Sequence, residues 1–298
     1  MTKSKISKLE KKRIRTAYLF LSPVFLLLSI FVFIPVFVSF YISFTKYSVF
    51  EPSRWVGLSN YIFLIQDSSF LQCVVNTLYF MVGTVLPRTA LALLLAIVLN
   101  RKIRGRAVFR SIFYLPVVTA TFAISFIWIF LYDPSPSGLF NYFLSFIGVA
   151  PLEWLGSIKL AMPCIMLMSI WKFVGYYMVI FLAGLQGIPE QLYEASRIDG
   201  ANKVQEFWHI TLPLLKPVTL LVLILSLIGA SQIFEQIYAM TQGGPGGSTM
   251  TIVYKLYITG FRSFYFGRAA AMSFFLVAIV FTLSIINMKL AGRRAYAG

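Results

Sequence analysis

The chain has 298 residues, 59% of them hydrophobic and only 12% charged, with a mean hydropathy of +0.81 and a formal net charge of +16. Soluble domains carry about a quarter charged residues, so this composition excludes an ordinary water-soluble globule and makes the bilayer the expected solvent. In a soluble protein the basic excess would suggest nucleic acid; here the positions of the charges argue against it.

Residues 1–17 form a basic N-terminal segment holding Lys3, Lys5, Lys8, Lys11, Lys12, Arg13 and Arg15. A cleaved signal peptide would have a shorter apolar region and a small-residue cleavage site, so an uncleaved anchor is expected. A membrane helix needs about 20 mostly apolar residues. Six stretches qualify: Tyr18–Phe44, Val74–Asn100, Val108–Tyr132, Leu160–Leu185, Leu212–Gln236 and Ala269–Leu290. Together they define a transmembrane domain over 18–290, followed by a C-terminal tail, 291–298. Pro35, Pro87 and Pro116 fall inside spans and predict kinks, which neighbouring helices can tolerate in a bilayer.

Lys and Arg gather on cytoplasmic loops. With the N-terminus inside, the inner groups are the seven N-terminal residues, then Arg101, Lys102, Arg104, Arg106 and Arg110, then Arg197, Lys203 and Lys216, then Lys289, Arg293 and Arg294. Only Lys46, Arg54, Lys159, Lys255, Arg262 and Arg268 lie outside. Both termini are therefore expected in the cytoplasm. The expected fold class is an all-α membrane protein with six transmembrane helices, its positive charge mainly a topology signal.

The outer loops are longer and richer in aromatics. The loop after span three predicts a short surface helix over Gly138–Ile147. "TQGGPGGST", after span five, is a turn-forming run that no helix survives. Cys73 and Cys164 lie far apart in apolar surroundings and are expected to be small apolar fillers, not a disulfide or metal pair.

One polar island interrupts the pattern. "EASRIDGANKVQEFWHITLP", Glu194–Pro213, holds three carboxylates and the only histidine, His209. Gly187 and Pro189 start a first helix over about Pro189–Asp199. Gly200 then permits a turn, and a second helix follows over about Asn202–Ile210. There Val204, Phe207 and Trp208 share one apolar face at i, i+3 and i+4. Periodicity alone leaves two readings open: an amphipathic helix on the inner leaflet, or a knob that docks into a cytoplasmic partner.

The spacing resembles the cytoplasmic loop signature of membrane permeases in bacterial ABC importers: Glu-Ala-Ala, three residues, Gly, nine residues, Ile, one residue, Leu-Pro. Glu194, Ala195, Gly200, Ile210, Leu212 and Pro213 match, with Ser196 in place of the third small residue. "WVGLSNY" (Trp55–Tyr61), "NT" (Asn76–Thr77), "TQGGP" (Thr241–Pro245) and "GRAAAMS" (Gly267–Ser273) resemble features of the carbohydrate-type, maltose and glycerol-3-phosphate-like branch. The resemblance implies a type I ABC importer permease fold and a coupling loop over 187–213 that docks on an ATPase. That loop would use Glu194, Ala195, Asp199, Gly200, Val204, Phe207, Trp208, Ile210, Leu212 and Pro213. It further implies a second, homologous permease subunit, two copies of the ATPase, a periplasmic or extracellular substrate-binding protein, and a place in the bacterial inner membrane. ATP and Mg would sit on the ATPase, with no cofactor or metal in this chain.

No G-x-x-x-x-G-K-[ST], H-E-x-x-H or G-x-S-x-G occurs, so no enzyme active site is expected. Ionisable residues inside spans are functional candidates by default: Arg88, Lys172 and Glu235. Gln232, Glu235 and Gln236 are expected on one face of span five, where they suit sugar hydroxyls, with Phe234 or Tyr238 packing on a ring. The alternative is that they hydrogen-bond neighbouring helices. Arg88 and Lys172 are expected to form interior ion pairs, with Glu235 or with a partner's carboxylate. Asn76 is expected to line an entrance or to cap its helix. The competing function is a self-sufficient secondary transporter or channel for a small polar solute. No internal repeat supports that alternative.

Overall fold

The computed structural model describes residues 8–101 and 104–292. Lys3, Lys5, Lys102, Arg293, Arg294 and the rest of 293–298 lie outside the described residues.

Among the described residues five helical stretches are long and apolar enough to cross a membrane: Lys11–Ser43, Ser68–Asn100, Ala161–Gln186, Lys216–Met240, which is interrupted at 232–234, and Phe266–Lys289. The shortest has 24 residues and, at about 1.5 Å per residue, reaches past a hydrocarbon core of about 30 Å. They are spans one, two, four, five and six. Within the described residues one helical run begins at Lys8, carries Lys11, Lys12, Arg13 and Arg15, and continues into span one. The last helix likewise runs on through Gly292.

Span three departs from expectation. Instead of one helix kinked at Pro116, it is two helices, Arg106–Val118 and Thr121–Leu131, bent by 99°. Thr119 and Ala120 between them are extended. The break follows Pro116 by three residues because the chain there finds another hydrogen-bond donor, Lys172 of span four, as described below. Pro87, by contrast, rides inside an unbroken 33-residue helix, Ser68–Asn100. Pro35 follows a π-helical turn, Ser29–Phe33, as Pro213 follows Phe207–Thr211. Proline cannot donate to the carbonyl four residues back, and a wider turn before it avoids that loss without breaking the helix.

Spans two and four form the centre and pack along their lengths. The most apolar stretch of span four is 61% buried, that of span one 0%. One apolar cluster joins Phe80, Trp128, Met162, Ile165 and Ile237. A second, toward the polar island, joins Ala92, Ala96, Met178, Phe181 and Val222. A third brings span six onto span two through Phe70, Cys73, Ile252 and Met272. Cys73 and Cys164 are free and buried.

The opposite end carries the aromatic loops. Thr45–Lys46 and Arg54–Trp55 pair as a short antiparallel hairpin. The surface helix runs Leu139–Ser145, inside the expected 138–147. Buried Asn141 holds its loop, accepting from Leu152 N at 3.0 Å and Trp154 Nε1 at 2.9 Å.

Candidate functional sites, a polar elbow and a cavity between spans

The polar island folds as two short helices about a glycine. The first is Glu190–Ile198. Gly200 follows at φ +82°, a conformation that costs a residue with a Cβ. Its N–H donates to the Arg197 carbonyl at 3.1 Å, and that of Ala201 to Ser196 at 2.9 Å. This paired closure satisfies the last carbonyls of the first helix. Asn202 then caps the second helix: its Oδ1 accepts from Val204 N and Gln205 N, and Gln205 Oε1 accepts from Asn202 N. Arg197 pairs with Glu206 at 3.0 Å, and the Tyr193 and Thr211 hydroxyls meet at 2.9 Å. The two arms are thus tied on both sides of the turn.

The expected second helix, Asn202–Ile210, is realised as Lys203–Glu206 followed by the π-turn Phe207–Thr211. The wider turn changes which face looks outward. Phe207 turns inward to line a cleft with Ile97, Leu185 and Tyr193. Val204 and Trp208 stay 65% and 58% exposed, so the three do not share one face. Ile198 is 86% exposed. Glu194, Ala195, Asp199 and Gly200 are exposed, whereas Ile210, Leu212 and Pro213 are half-buried at the root. His209 is exposed and its Nδ1 lies 3.1 Å from the Gln205 carbonyl.

The second site lies between the spans. Span five is not one helix across Gln232. It stops at Ser231, and Glu235–Met240 begins a new helix after Phe234 at φ −140°. Gln232, Glu235 and Gln236 therefore share no continuous helical face. The break nevertheless brings all three to one cavity of about 330 Å³. Thr121, the first residue after the break in span three, lines the same cavity with Arg88, Ser169 and Phe173. The Ser169 hydroxyl is buried there without a hydrogen-bond partner. Gln232 and Glu235 are exposed to the cavity's open side, and Gln236 is buried.

Neither buried cation forms the expected ion pair with Glu235. Arg88 Nη2 donates to Ser226 Oγ at 2.5 Å and to its carbonyl at 3.1 Å, with the guanidinium 4.8 Å from the Tyr177 ring centre. Lys172 Nζ donates to the carbonyls of Pro116 at 2.8 Å and Thr119 at 2.6 Å. The freed carbonyls of the broken helix carry the negative end of its dipole, and that end, not a carboxylate, holds the ammonium. Asn76 does not cap its helix. Asp67 is the cap, and Asn76 Nδ2 donates to the carbonyls of Gly247 and Met250, both at 2.9 Å. Thr77 Oγ1 accepts from Ile252 N at 3.0 Å, so Asn76–Thr77 fastens the glycine loop. Tyr238 stands outside the cavity lining, in an aromatic group with Phe122, Phe234 and Tyr257.

Thr121, Ser169, Phe173 and Ser226 did not stand out in the sequence, because hydroxyls and rings are ordinary inside apolar helices. A pointer to Thr121 was the Thr-Ala-Thr run after Pro116.

A family model described as "Binding-protein-dependent transport system inner membrane component" matches residues 88–295. The "Trehalose/maltose transport system permease protein MalF" of Thermococcus litoralis is 36% identical over 287 residues, covering 95% of this chain and 96% of that protein. The "sn-glycerol-3-phosphate transport system permease protein UgpA" of Agrobacterium fabrum is 35% identical over 94% of this chain and 96% of its own. Among solved structures, a chain of a bacterial ABC transporter "involved in the import of the acidic polysaccharide alginate" superposes with a TM-score of 0.83. It is 24% identical over 97% of this chain and 99% of that one, a likeness that shows the fold.

Proposed function

Since this chain belongs to the family of inner membrane components of binding-protein-dependent transport systems, we propose that it forms half of the translocation path for a carbohydrate in an ATP-driven importer. Both termini lie on the cytoplasmic side, with the Glu194–Pro213 elbow. The elbow docks on a separate ATPase, which holds ATP and Mg. A second, homologous permease completes the path, and a substrate-binding protein delivers solute to the opposite face.

The observation that carries the reading is the tied elbow itself. Its arms are fixed by Arg197–Glu206 and Tyr193–Thr211, yet it leaves Ile198, Val204 and Trp208 exposed. A rigid polar projection with apolar tips suits insertion into a partner cleft, and a rigid one transmits displacement to the span that follows it. On a bilayer surface the bracing would have no evident use. Carbohydrate is supported by the trehalose/maltose transport of the Thermococcus litoralis relative. It is further supported by the two glutamines and the glutamate beside Phe173 and Phe234 in the cavity, since amides and carboxylates suit hydroxyls and rings suit sugar faces.

The test is to purify the chain from its membrane in mild detergent and identify what accompanies it. An ATPase and a sister permease are expected. ATP-independent solute uptake by the isolated chain in vesicles would sink the reading and favour the self-sufficient transporter.

A further inference from the structure

We propose that the ends of spans one and six remote from the elbow form a binding site for the phosphodiester headgroup of an anionic phospholipid, lined by Lys46, Arg54 and Arg268. Two segments that neither the elbow nor the cavity uses, Trp55–Tyr61 and Gly267–Ser273, meet there. Asn60 Nδ2 donates to the carbonyls of Ser43 at 2.8 Å and Thr45 at 2.9 Å. Gly267 N donates to the Tyr47 carbonyl at 3.1 Å. A Cβ on Gly267 would collide with the Thr45 carbonyl, so the close approach needs glycine. The hairpin is thereby clamped to the start of span six.

The clamp encloses a cavity of about 170 Å³ whose lining includes Lys46, Arg54, Ser59 and Arg268 and no carboxylate. Lys46 is paired with Glu51 at 2.6 Å. Among the described residues Arg54 and Arg268 form no ion pair. The Arg268 guanidinium lies 3.8 Å from the Phe63 ring centre. Stacking of this kind fixes the plane of a guanidinium while its N–H edge stays available for an anion. Three basic side chains line the small cavity and one carboxylate, Glu51, lies nearby, so the lining stays net positive and suits a singly charged phosphate with several acceptor oxygens.

The lipid is favoured over a protein partner by position. Span one ends at Ser43 and span six begins at Phe266, so the cavity sits at the boundary between hydrocarbon and water. Tyr47, Phe50, Trp55 and Tyr265 are exposed around it, and Trp and Tyr collect at that depth. Charge-assisted hydrogen bonds from arginine to a phosphate are the same in either leaflet. A headgroup phosphate fits the volume, whereas a folded partner would meet only its rim.

The test uses the purified complex in nanodiscs of phosphatidylcholine with and without phosphatidylglycerol, released for native mass spectrometry. The wild type should retain phosphatidylglycerol selectively, and Arg54→Gln with Arg268→Gln should lose one retained molecule per chain. Arg268→Lys should keep partial retention, and single Arg54→Gln, at an exposed position, guards against misfolding of the double variant. Equal retention by wild type and variants overturns the site. Displacement by inorganic phosphate at constant ionic strength overturns the lipid as its occupant. If the variants instead weaken capture of the binding protein in phosphatidylcholine alone, the surface is a protein dock and the proposal fails. The site depends on the two-sided topology proposed above. Co-purification of the ATPase reports on that reading separately.

Discussion

Lys172, in the middle of span four, donates its ammonium to the Thr119 carbonyl at 2.6 Å, across the break in span three. It is 1% exposed and also reaches the Pro116 carbonyl at 2.8 Å. A buried ammonium is costly unless its donors are used. Here they are used on carbonyls that the end of the helix at Val118 and the turn through Thr119 and Ala120 leave without helical partners. The bend of span three and the burial of Lys172 therefore depend on each other, and the bend sets Thr121 against the cavity.

Lys172→Met should remove those donors and leave the carbonyls unpaired. A loss of about 3 kcal/mol is expected, as for charged hydrogen bonds whose partner stays buried. The melting of the detergent-solubilised protein, followed by size-exclusion fluorescence, measures it. A melting point unchanged from wild type would mean that the break does not need the lysine.

Gly200→Val should cost about 1–3 kcal/mol of local strain at φ +82°. No atom lies within 4 Å of the position where a Cβ would stand, so the strain is conformational and not a clash. ATP hydrolysis uncoupled from uptake is the expected phenotype. Gly200→Asn should retain more coupling, because asparagine enters the left-handed region more readily. Wild-type uptake in the valine variant would argue against the elbow's docking role.

Asn76→Leu should free the Gly247 and Met250 carbonyls and loosen the glycine loop. Limited proteolysis should then cut between Gly243 and Thr251 faster than in wild type. A cutting rate equal to wild type would show that Thr77 alone secures the loop.

Glu235→Gln and Gln236→Leu should lower uptake by roughly tenfold, the effect of losing about 1.4 kcal/mol at one contact, while leaving ATPase association intact. Transport assays on vesicles beside pull-down of the ATPase separate the two effects. Normal uptake in both variants would remove the cavity from the solute path.

Glu51 gives a pH dependence. The Lys46 ammonium, by hydrogen bond and by charge, holds its carboxyl below the usual value of 4.5. A depressed folded pKa contributes stability above the unfolded value and loses it as pH falls through the folded one. Hydrogen exchange in the Thr45–Trp55 hairpin, corrected for its intrinsic pH dependence, should rise below pH 4.5. Glu51→Gln should abolish that step; an identical step in the variant would assign it to another group.

The sequence alone determined where the apolar stretches lie, the glycine turn of the elbow and the turn loop. Apolar length is sufficient to place helices when no water is available to the backbone. A glycine between two capped helices likewise turns wherever it stands. Gly200 and Asn202 are local chemistry, and local chemistry is legible in one dimension. The family signature in Glu194–Pro213 was legible for the same reason. Tertiary structure decided everything that depends on a donor finding a distant acceptor. Pro87 and Pro116 look alike in sequence, yet one leaves its helix intact and the other precedes a 99° bend. The bend follows the proline whose neighbouring carbonyls meet Lys172, 53 residues beyond Thr119. Arg88 found Ser226 and Tyr177 instead of Glu235, because packing of spans two, four and five offered an oxygen and a ring. Asn76 became a clasp for a loop 171 residues away. Buried polar groups must be satisfied by whatever the fold brings within about 3 Å, and only the fold fixes which group that is.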